Sequence, residues 1–309
     1  MFALAARRLL TTIPALLGIY TLVFMVLHVL PADPALLISQ GSASGEQLAS
    51  LRHEYGLDRP LWRQYAADLG KVVRGDLGRS IRYGRPVSSL IRERFPSTLE
   101  LALAGLGLAV VLALILGTLA ALRPHSWIDT LSMAVALTGV SIPSFWLGMM
   151  LIFAFSLWLG WLPVTTGSGL QRLLMPAITL GLYSTAVTSR LTRVSLIQTL
   201  RQEYVTTARA KGLAEFAVVV RHALRNSLIP VVTIVGVELG NLLSGTVVVE
   251  TVFARPGLGR LIVESITYRD YPALQSSLLF VACGYVVANL LVDISYGYLD
   301  PRVRTGGGM

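Results

Sequence analysis

The chain has 309 residues, of which 54% are hydrophobic and 14% charged, whereas ordinary soluble domains carry roughly 25% charged residues. An excess of that size, with a mean hydropathy of +0.65, cannot be hidden in one water-soluble core. The net charge of +9 does not point to nucleic acid, because basic residues flanking apolar blocks follow the positive-inside rule.

Six apolar blocks approach the length of about 20 helical residues needed to cross a hydrocarbon layer. They run near Leu9 to Leu30, Leu99 to Leu122, Leu131 to Trp158, Leu173 to Leu191, Leu228 to Val249 and Leu274 to Tyr296. The first follows Arg7 and Arg8, is longer than the apolar core of a cleaved signal and precedes no small-residue cleavage site, so it reads as an uncleaved span. The third contains Pro143 and the fourth is short and polar, which makes these two the least regular helices expected. The fold class is therefore all-α: a polytopic helical membrane bundle of about six spans in one domain, residues 1–309.

Residues 31–96 carry Pro and Gly punctuation and an amphipathic piece, Leu61 to Val73, and should form a small, partly helical cap outside the membrane. The loop from Arg190 to Arg225 has seven basic residues against two acids, Glu203 and Glu215. Short basic loops stay in the cytoplasm, so both termini are expected there. The tail Gly306 to Gly308 is expected to fray. The lone Cys283 lies in an apolar run and reads as a packing residue.

No phosphate-cradling G-x-x-x-x-G-K-[ST] loop or G-x-S-x-G elbow occurs. His28, His53, His125 and His222 are too dispersed for metal-site spacing, so no metal is expected. An enzyme reading has no constellation to stand on.

The cytoplasmic segment at 190–228 is more informative. Glu203-Tyr-Val-Thr-Thr-Ala-Arg-Ala-Lys-Gly212 is followed by Val219-Val-Arg-His-Ala-Leu-Arg-Asn-Ser-Leu-Ile-Pro230, which reads as a short helix, a turn and a second short helix, able to dock on a soluble partner. It resembles the coupling loop of permease subunits of ATP-binding-cassette (ABC) importers, whose general pattern is E-A-A-x-x-x-G followed by I-x-L-P. Thr206, Thr207 and Ala208 replace E-A-A, Gly212 takes the glycine, and His222 to Arg225 stand where I-x-L-P would be, without the final Pro.

The variant resembles the peptide and nickel branch of that family, in which T-A-R-A-K-G and H-x-L-R-N-x-x-I-P are usual. Other branch motifs recur in order: Leu30-Pro-Ala-Asp-Pro34, Tyr55-Gly-Leu-Asp-Arg-Pro60, Gly75-Asp-Leu-Gly78, Glu250-x-x-Phe253-x-x-Pro256-Gly-x-Gly259, Arg269-Asp-Tyr-Pro272, Asn289-Leu-Leu-Val-Asp293 and Leu299-Asp-Pro-Arg302. The resemblance implies the type I ABC importer permease fold in a bacterial cytoplasmic (inner) membrane. It implies a second homologous permease as heterodimeric partner, two cytoplasmic ATPase subunits that bind the ATP and Mg, and an extracytoplasmic binding protein. This chain then needs no cofactor of its own. Its ATPase-coupling residues would be Thr206, Thr207, Ala208, Arg209, Lys211, Gly212, His222 and Arg225. Most of the other motifs read as scaffold turns.

An ionisable side chain in hydrocarbon costs about 2.5 to 3.5 kcal/mol or more unless it is paired or faces a cavity, so Glu238 and Asp293 are candidates. Asp293, with Asn289, reads as structural or gating, near the cytoplasmic end. Glu238, at mid-span, is either a path residue attracting cations or a neutral carboxyl packed on a neighbouring helix. Asn241 and Ser244, with Gly236, Gly240 and Gly245, make one stripe small and polar, and Ser141 lies at the break in the third span. Close helix packing and a wet path are both open to them. Cargo under the resemblance is di- or oligopeptide, with nickel, a metallophore complex or glutathione as alternatives. An ion-coupled secondary transporter using Glu238 and Asp293 is the reading from a different class.

Overall fold

The computed structural model describes residues 2–29, 44–54, 58–165 and 169–299. The expected motifs at 30–34 and 300–302, part of that at 55–60, and the tail at 306–308 lie outside the described residues, as does the Asp293 side chain. The helices are α1 (Phe2–Val29), α2 (Gly45–Glu54), α3 (Leu61–Val73), α4 (Val87–Leu122), α5 (Trp127–Ser141), α6 (Ser144–Leu151), α7 (Leu170–Leu200), α8 (Glu203–Ala210), α9 (Glu215–Ala217), α10 (Arg225–Val252), α11 (Leu258–Thr267) and α12 (Tyr271–Leu299). A helix occupies each of the six apolar blocks. Among the described residues three helices, Val87–Leu122, Glu215–Val252 and Tyr271–Leu290, are long and apolar enough to cross a membrane, and α5 with the helix that follows it makes a fourth if counted as one bent span.

The third block breaks as its proline requires. Pro143 has no N–H to continue the helix, Ile142 turns extended, and Trp127–Ser141 and Ser144–Trp158 diverge by 106°. The second arm ends in a π-helical stretch, Ile152–Trp158. The expectation for the fourth block is corrected: α7 is an unbroken helix of 31 residues. Its polarity is internal. Ser184, Thr185, Thr188, Ser189, Thr192 and Ser195 are all buried, and hydroxyls bond back to the helix's own carbonyls, Thr185 to Gly181 at 3.0 Å and Thr192 to Thr188 at 2.8 Å. Such back-bonding lets hydroxyl residues sit in an apolar setting.

The chain divides into two compact units, Met1–Ala5, Thr98–Arg255 and Gly284–Met309 forming one, and Ala6–Ser97 and Pro256–Cys283 the other. In the first, α7 packs on α10 and α5 around a core of Leu101, Met175, Leu180, Leu242, Val249 and Phe253. Glycines set the spacing. A Cβ on Gly139 would stand 2.2 Å from the Leu182 carbonyl oxygen, and one on Gly181 would stand 2.4 Å from that of Gly105. The motif residue Glu250 is fully buried and accepts a hydrogen bond from Thr98 Oγ1 at 2.6 Å, while Arg255 pairs with Glu100 at 2.9 Å.

The second unit brings two motifs together across 190 residues of chain. The buried Asp270 carboxylate accepts hydrogen bonds from Ser80 Oγ, from the Ile81 N–H at 3.1 Å and from the Arg82 N–H at 3.2 Å. Ser276 donates to the Leu77 carbonyl at 2.9 Å, and Pro272 touches the space beside Gly78, whose φ of +75° suits glycine. Gly75 to Gly78 and Arg269 to Pro272 are thus one structural joint. Glu264 anchors the other side, accepting from Tyr83 Oη at 2.8 Å and Arg260 Nε at 2.9 Å, with Arg94 at 3.5 Å. Burial pushes its carboxyl up, but the Tyr83 hydroxyl, Arg94 and Arg260 together hold it below its usual value. Asp270→Ala should unseat the 80–82 turn by removing a buried acceptor of several donors, at about 2 to 3 kcal/mol. Faster proteolysis within residues 74–86 would report it, and unchanged cleavage there would count against the joint.

Helix α4 begins at Val87 and runs through Pro96, so the last ten residues of the expected cap are helical and continuous with the second span. Helix α3 has the bounds expected from amphipathicity.

Candidate functional site

Helix α8 ends in the geometry its sequence prescribes. Gly212, at φ +78°, occupies the left-handed position after the helix. Its N–H bonds to the Arg209 carbonyl at 2.9 Å and that of Leu213 to the Ala208 carbonyl at 3.4 Å, the paired bonds of a Schellman cap. Arg209 then closes the turn on Glu215 through two hydrogen bonds, Nε to Oε2 at 3.1 Å and Nη2 to Oε1 at 2.7 Å. The Glu215 carboxylate, first through these bonds, raises the guanidinium pKa above its ordinary value.

The second helix is longer than expected. From Glu215 it continues through a π-helical stretch, Val218–Leu224, into α10, so residues Glu215–Val252 form a single 38-residue helix. The turn is seated by a small core in which Val205 and Ala208 of α8 pack with Leu196, Ala121, Val218 and Ala223. Ala208 is thereby a buried contact. Thr206, Thr207, Arg209, Lys211, Gly212 and Arg225 are exposed and His222 is half-buried. The exposed edge is also apolar, with Phe216 79% exposed and Tyr204, Leu213 and Val220 open beside it. Sequence inspection singled out none of these four.

The candidate path residues are divided. Glu238 is 3% exposed and accepts hydrogen bonds from Ser184 Oγ on α7 and from Asn241 Nδ2 at 3.3 Å. The carboxyl is held against α7, with both oxygens engaged. Asn241, Ser244 and Ser141 are exposed, with Ser141 Oγ bonded to the Leu137 carbonyl at 3.2 Å at the lip of the bend. Gly236 and Gly240 serve close packing, since a Cβ on them would stand 2.4 Å from Val292 and 2.9 Å from Tyr285. Asn289 Oδ1 lies 3.6 Å from the same Gly240 position.

An ion pair next to this core escaped the sequence reading. Arg193 on α7 reaches Asp129 at the start of α5 with Nε to Oδ1 at 2.7 Å and Nη2 to Oδ2 at 2.6 Å. The His125 N–H adds a third bond at 2.9 Å, and Ser126 caps the helix. Arg193 lies one turn before Leu196, which is fully buried in the core beneath α8. The two charges are 64 residues apart, so no local spacing signals them. Among the described residues no three His, Cys, Asp or Glu side chains gather as a metal site would require.

Two family models cover the chain: "Binding-protein-dependent transport system inner membrane component" over residues 113–305 and the N-terminal model of the same transport systems over residues 1–102. The chain is 43% identical over 298 residues to the glutathione transport system permease protein GsiC of Escherichia coli strain K12, covering 96% of this chain and 97% of the relative. It is 39% identical over 332 residues to the dipeptide transport system permease protein DppB of Alkalihalophilus pseudofirmus, covering 98% and 100%. Among solved structures, the MetNI methionine ABC transporter in inward-facing form matches with a TM-score of 0.56 and 18% identity over 69% of this chain and 97% of that one. An amino acid ABC transporter matches at 0.51 and 16%, over 70% and 94%. At such identities the structural likeness concerns the fold.

Proposed function

The chain belongs to the family of binding-protein-dependent transport system inner membrane components, as a permease subunit of an ABC importer with the type I permease fold, and on that premise we propose that it forms half of a path for di- and oligopeptides. It pairs with a second, homologous permease and two cytoplasmic ATPases, and takes cargo from an extracytoplasmic binding protein. Both termini face the cytoplasm. The ion-coupled alternative falls with the family membership, and the ATP and Mg belong to the partner ATPases. Glutathione, itself a tripeptide, is the second reading, favoured by the 43% identical relative.

The observation that carries the mechanism is the turn of residues 203–216. Its buried side is fixed to α7 and α10 by Leu196, Val205, Ala208 and Val218, while its outer edge leaves Tyr204, Leu213 and Phe216 in the open. An apolar edge on a rigid, braced turn suits a groove on a soluble ATPase. ATP can drive the bundle between openings only if it binds the two states with different affinity, and the turn carries that difference into α7 and α10. Asn241, Ser244 and Ser141 supply exposed polar groups to the path, and Glu238 holds the helix that presents two of them. Asn289, beside Gly240, braces the last span.

Gly212→Trp tests the reading. No atom lies within 4 Å of a Cβ there, so the fold should pay only the left-handed backbone strain of about 1 to 2 kcal/mol, while the indole obstructs the docking edge. In vesicles holding the complete complex, uptake of labelled dipeptide should fall at least about tenfold, the equivalent of roughly 1.4 kcal/mol of lost coupling, and ATPase copurification should drop. Wild-type uptake in this variant would sink the docking role. Wild-type transport of glutathione with none of dipeptide in the unmutated complex would decide for the second cargo.

A further inference from the structure

We propose that α3 lies in the membrane interface, with its unpartnered apolar edge among phospholipid headgroups and upper acyl chains. At 100° per residue, Leu61, Trp62, Tyr65, Ala66, Leu69, Val72 and Val73 fall on one arc of the helix and Arg63, Gln64, Asp68 and Lys71 on the other. Among the described residues, only part of the apolar arc has a protein partner. Tyr65 packs its ring on Tyr20 at 5.7 Å and edge-on to Phe24 at 5.3 Å, and its hydroxyl shares a 2.8 Å hydrogen bond with Thr21 Oγ1. The other edge stands open, with Trp62 65% and Val73 79% exposed.

The depth of that open edge follows from what holds the helix. Tyr20, Thr21 and Phe24 belong to the apolar stretch of α1, Thr12–Val26, whose Leu22, Met25 and Val26 are exposed on the same turns. In a membrane those residues meet lipid, and Tyr65, resting on Tyr20, Thr21 and Phe24, holds its helix against the half of α1 that leads to the expected cap. Its composition suits the membrane interface. Trp and Tyr settle at the boundary between headgroups and acyl chains, Arg63 stacks 5.0 Å over the Trp62 ring, and exposed Arg59, Lys71 and Arg74 are placed to meet phosphates. The inference needs only that α1 crosses the bilayer. It is independent of cargo and of the ATPase contact.

The experiment uses the full chain with its partner subunits in nanodiscs of phosphatidylethanolamine and phosphatidylglycerol. In a Cys283→Ser background, Trp62→Cys, Val73→Cys and, on the opposite arc, Ala67→Cys are labelled with bimane. Lipids brominated near the top of the acyl chain should quench labels at 62 and 73 at least about twofold more than deeply brominated lipids, and aqueous iodide should quench the label at 67 instead. Iodide quenching at all three positions would overturn the proposal in favour of a water-facing helix. Protection of 62 and 73 from both quenchers would overturn it in favour of a protein partner.

Discussion

Gly139→Val should abolish folding of the unit that contains α5, α7 and α10. The added Cβ would stand 2.2 Å from the Leu182 carbonyl oxygen and 2.6 Å from its carbon, and both are backbone atoms that cannot rotate aside. Overpacking ordinarily costs about 1 to 3 kcal/mol. Here relief requires moving one helix away from another along a contact that also includes the Asp129–Arg193 pair, so the cost should lie at or above the top of that range. Small residues are what permit such approach between membrane helices. The expected readout is loss of monodisperse protein in detergent and a melting transition too low to measure. Gly107→Ala is the control: it lies in α4 with no atom within 4 Å and should match or exceed the wild type by up to about 1 kcal/mol through helix propensity. A monodisperse Gly139→Val protein with wild-type melting would mean that α5 and α7 are not in contact at this point.

Asp129→Ala should be the most damaging change of a charged residue. The pair with Arg193 is largely buried, at 8% and 22% side-chain exposure, and removing one partner of a buried pair costs about 3 to 5 kcal/mol because the remaining charge is left uncompensated. The partial exposure of Arg193 lets water relieve some of this, so the lower end is expected. The Asp129 carboxylate also receives the His125 N–H, and that bond is lost as well. The double variant Asp129→Ala with Arg193→Met removes both charges and should recover most of the loss, which distinguishes an uncompensated charge from a disrupted helix start. Thermal unfolding in detergent checks both variants. Equal destabilisation of the single and double variants would show that the Ser126 cap region, not the ion pair, dominates.

Much of the fold was legible because it depends on local composition. Each of the six apolar blocks became a helix, the arc of α3 predicted its bounds, Pro143 broke the third span and Gly212 terminated α8. The misreadings have one origin. The polarity of α7 suggested a short, irregular segment, yet Thr185 and Thr192 are satisfied by their own helix, a solution that hydropathy windows do not count. The second arm of the turn after Gly212 looked short because Arg221, His222 and Arg225 interrupt its apolar pattern, but they punctuate an unbroken helix. In the candidate site, the left-handed glycine and the basic edge were visible in sequence. The exposed Phe216 was not, since an aromatic residue in an apolar chain carries no mark of whether it faces out.

The sequence by itself determined that the chain lives in a bilayer, where helices form and break, and which transport family it resembles, because hydropathy, proline and glycine act on their immediate neighbours and ordered motifs need no coordinates. Only the tertiary structure decided which distant residues meet. It joined Asp129 to Arg193, seated Asp270 under the turn at 80–82, and turned Glu238 toward Ser184. Each pairing satisfies a charge or polar group that burial would otherwise penalise by several kcal/mol, and the partner is chosen by how helices pack.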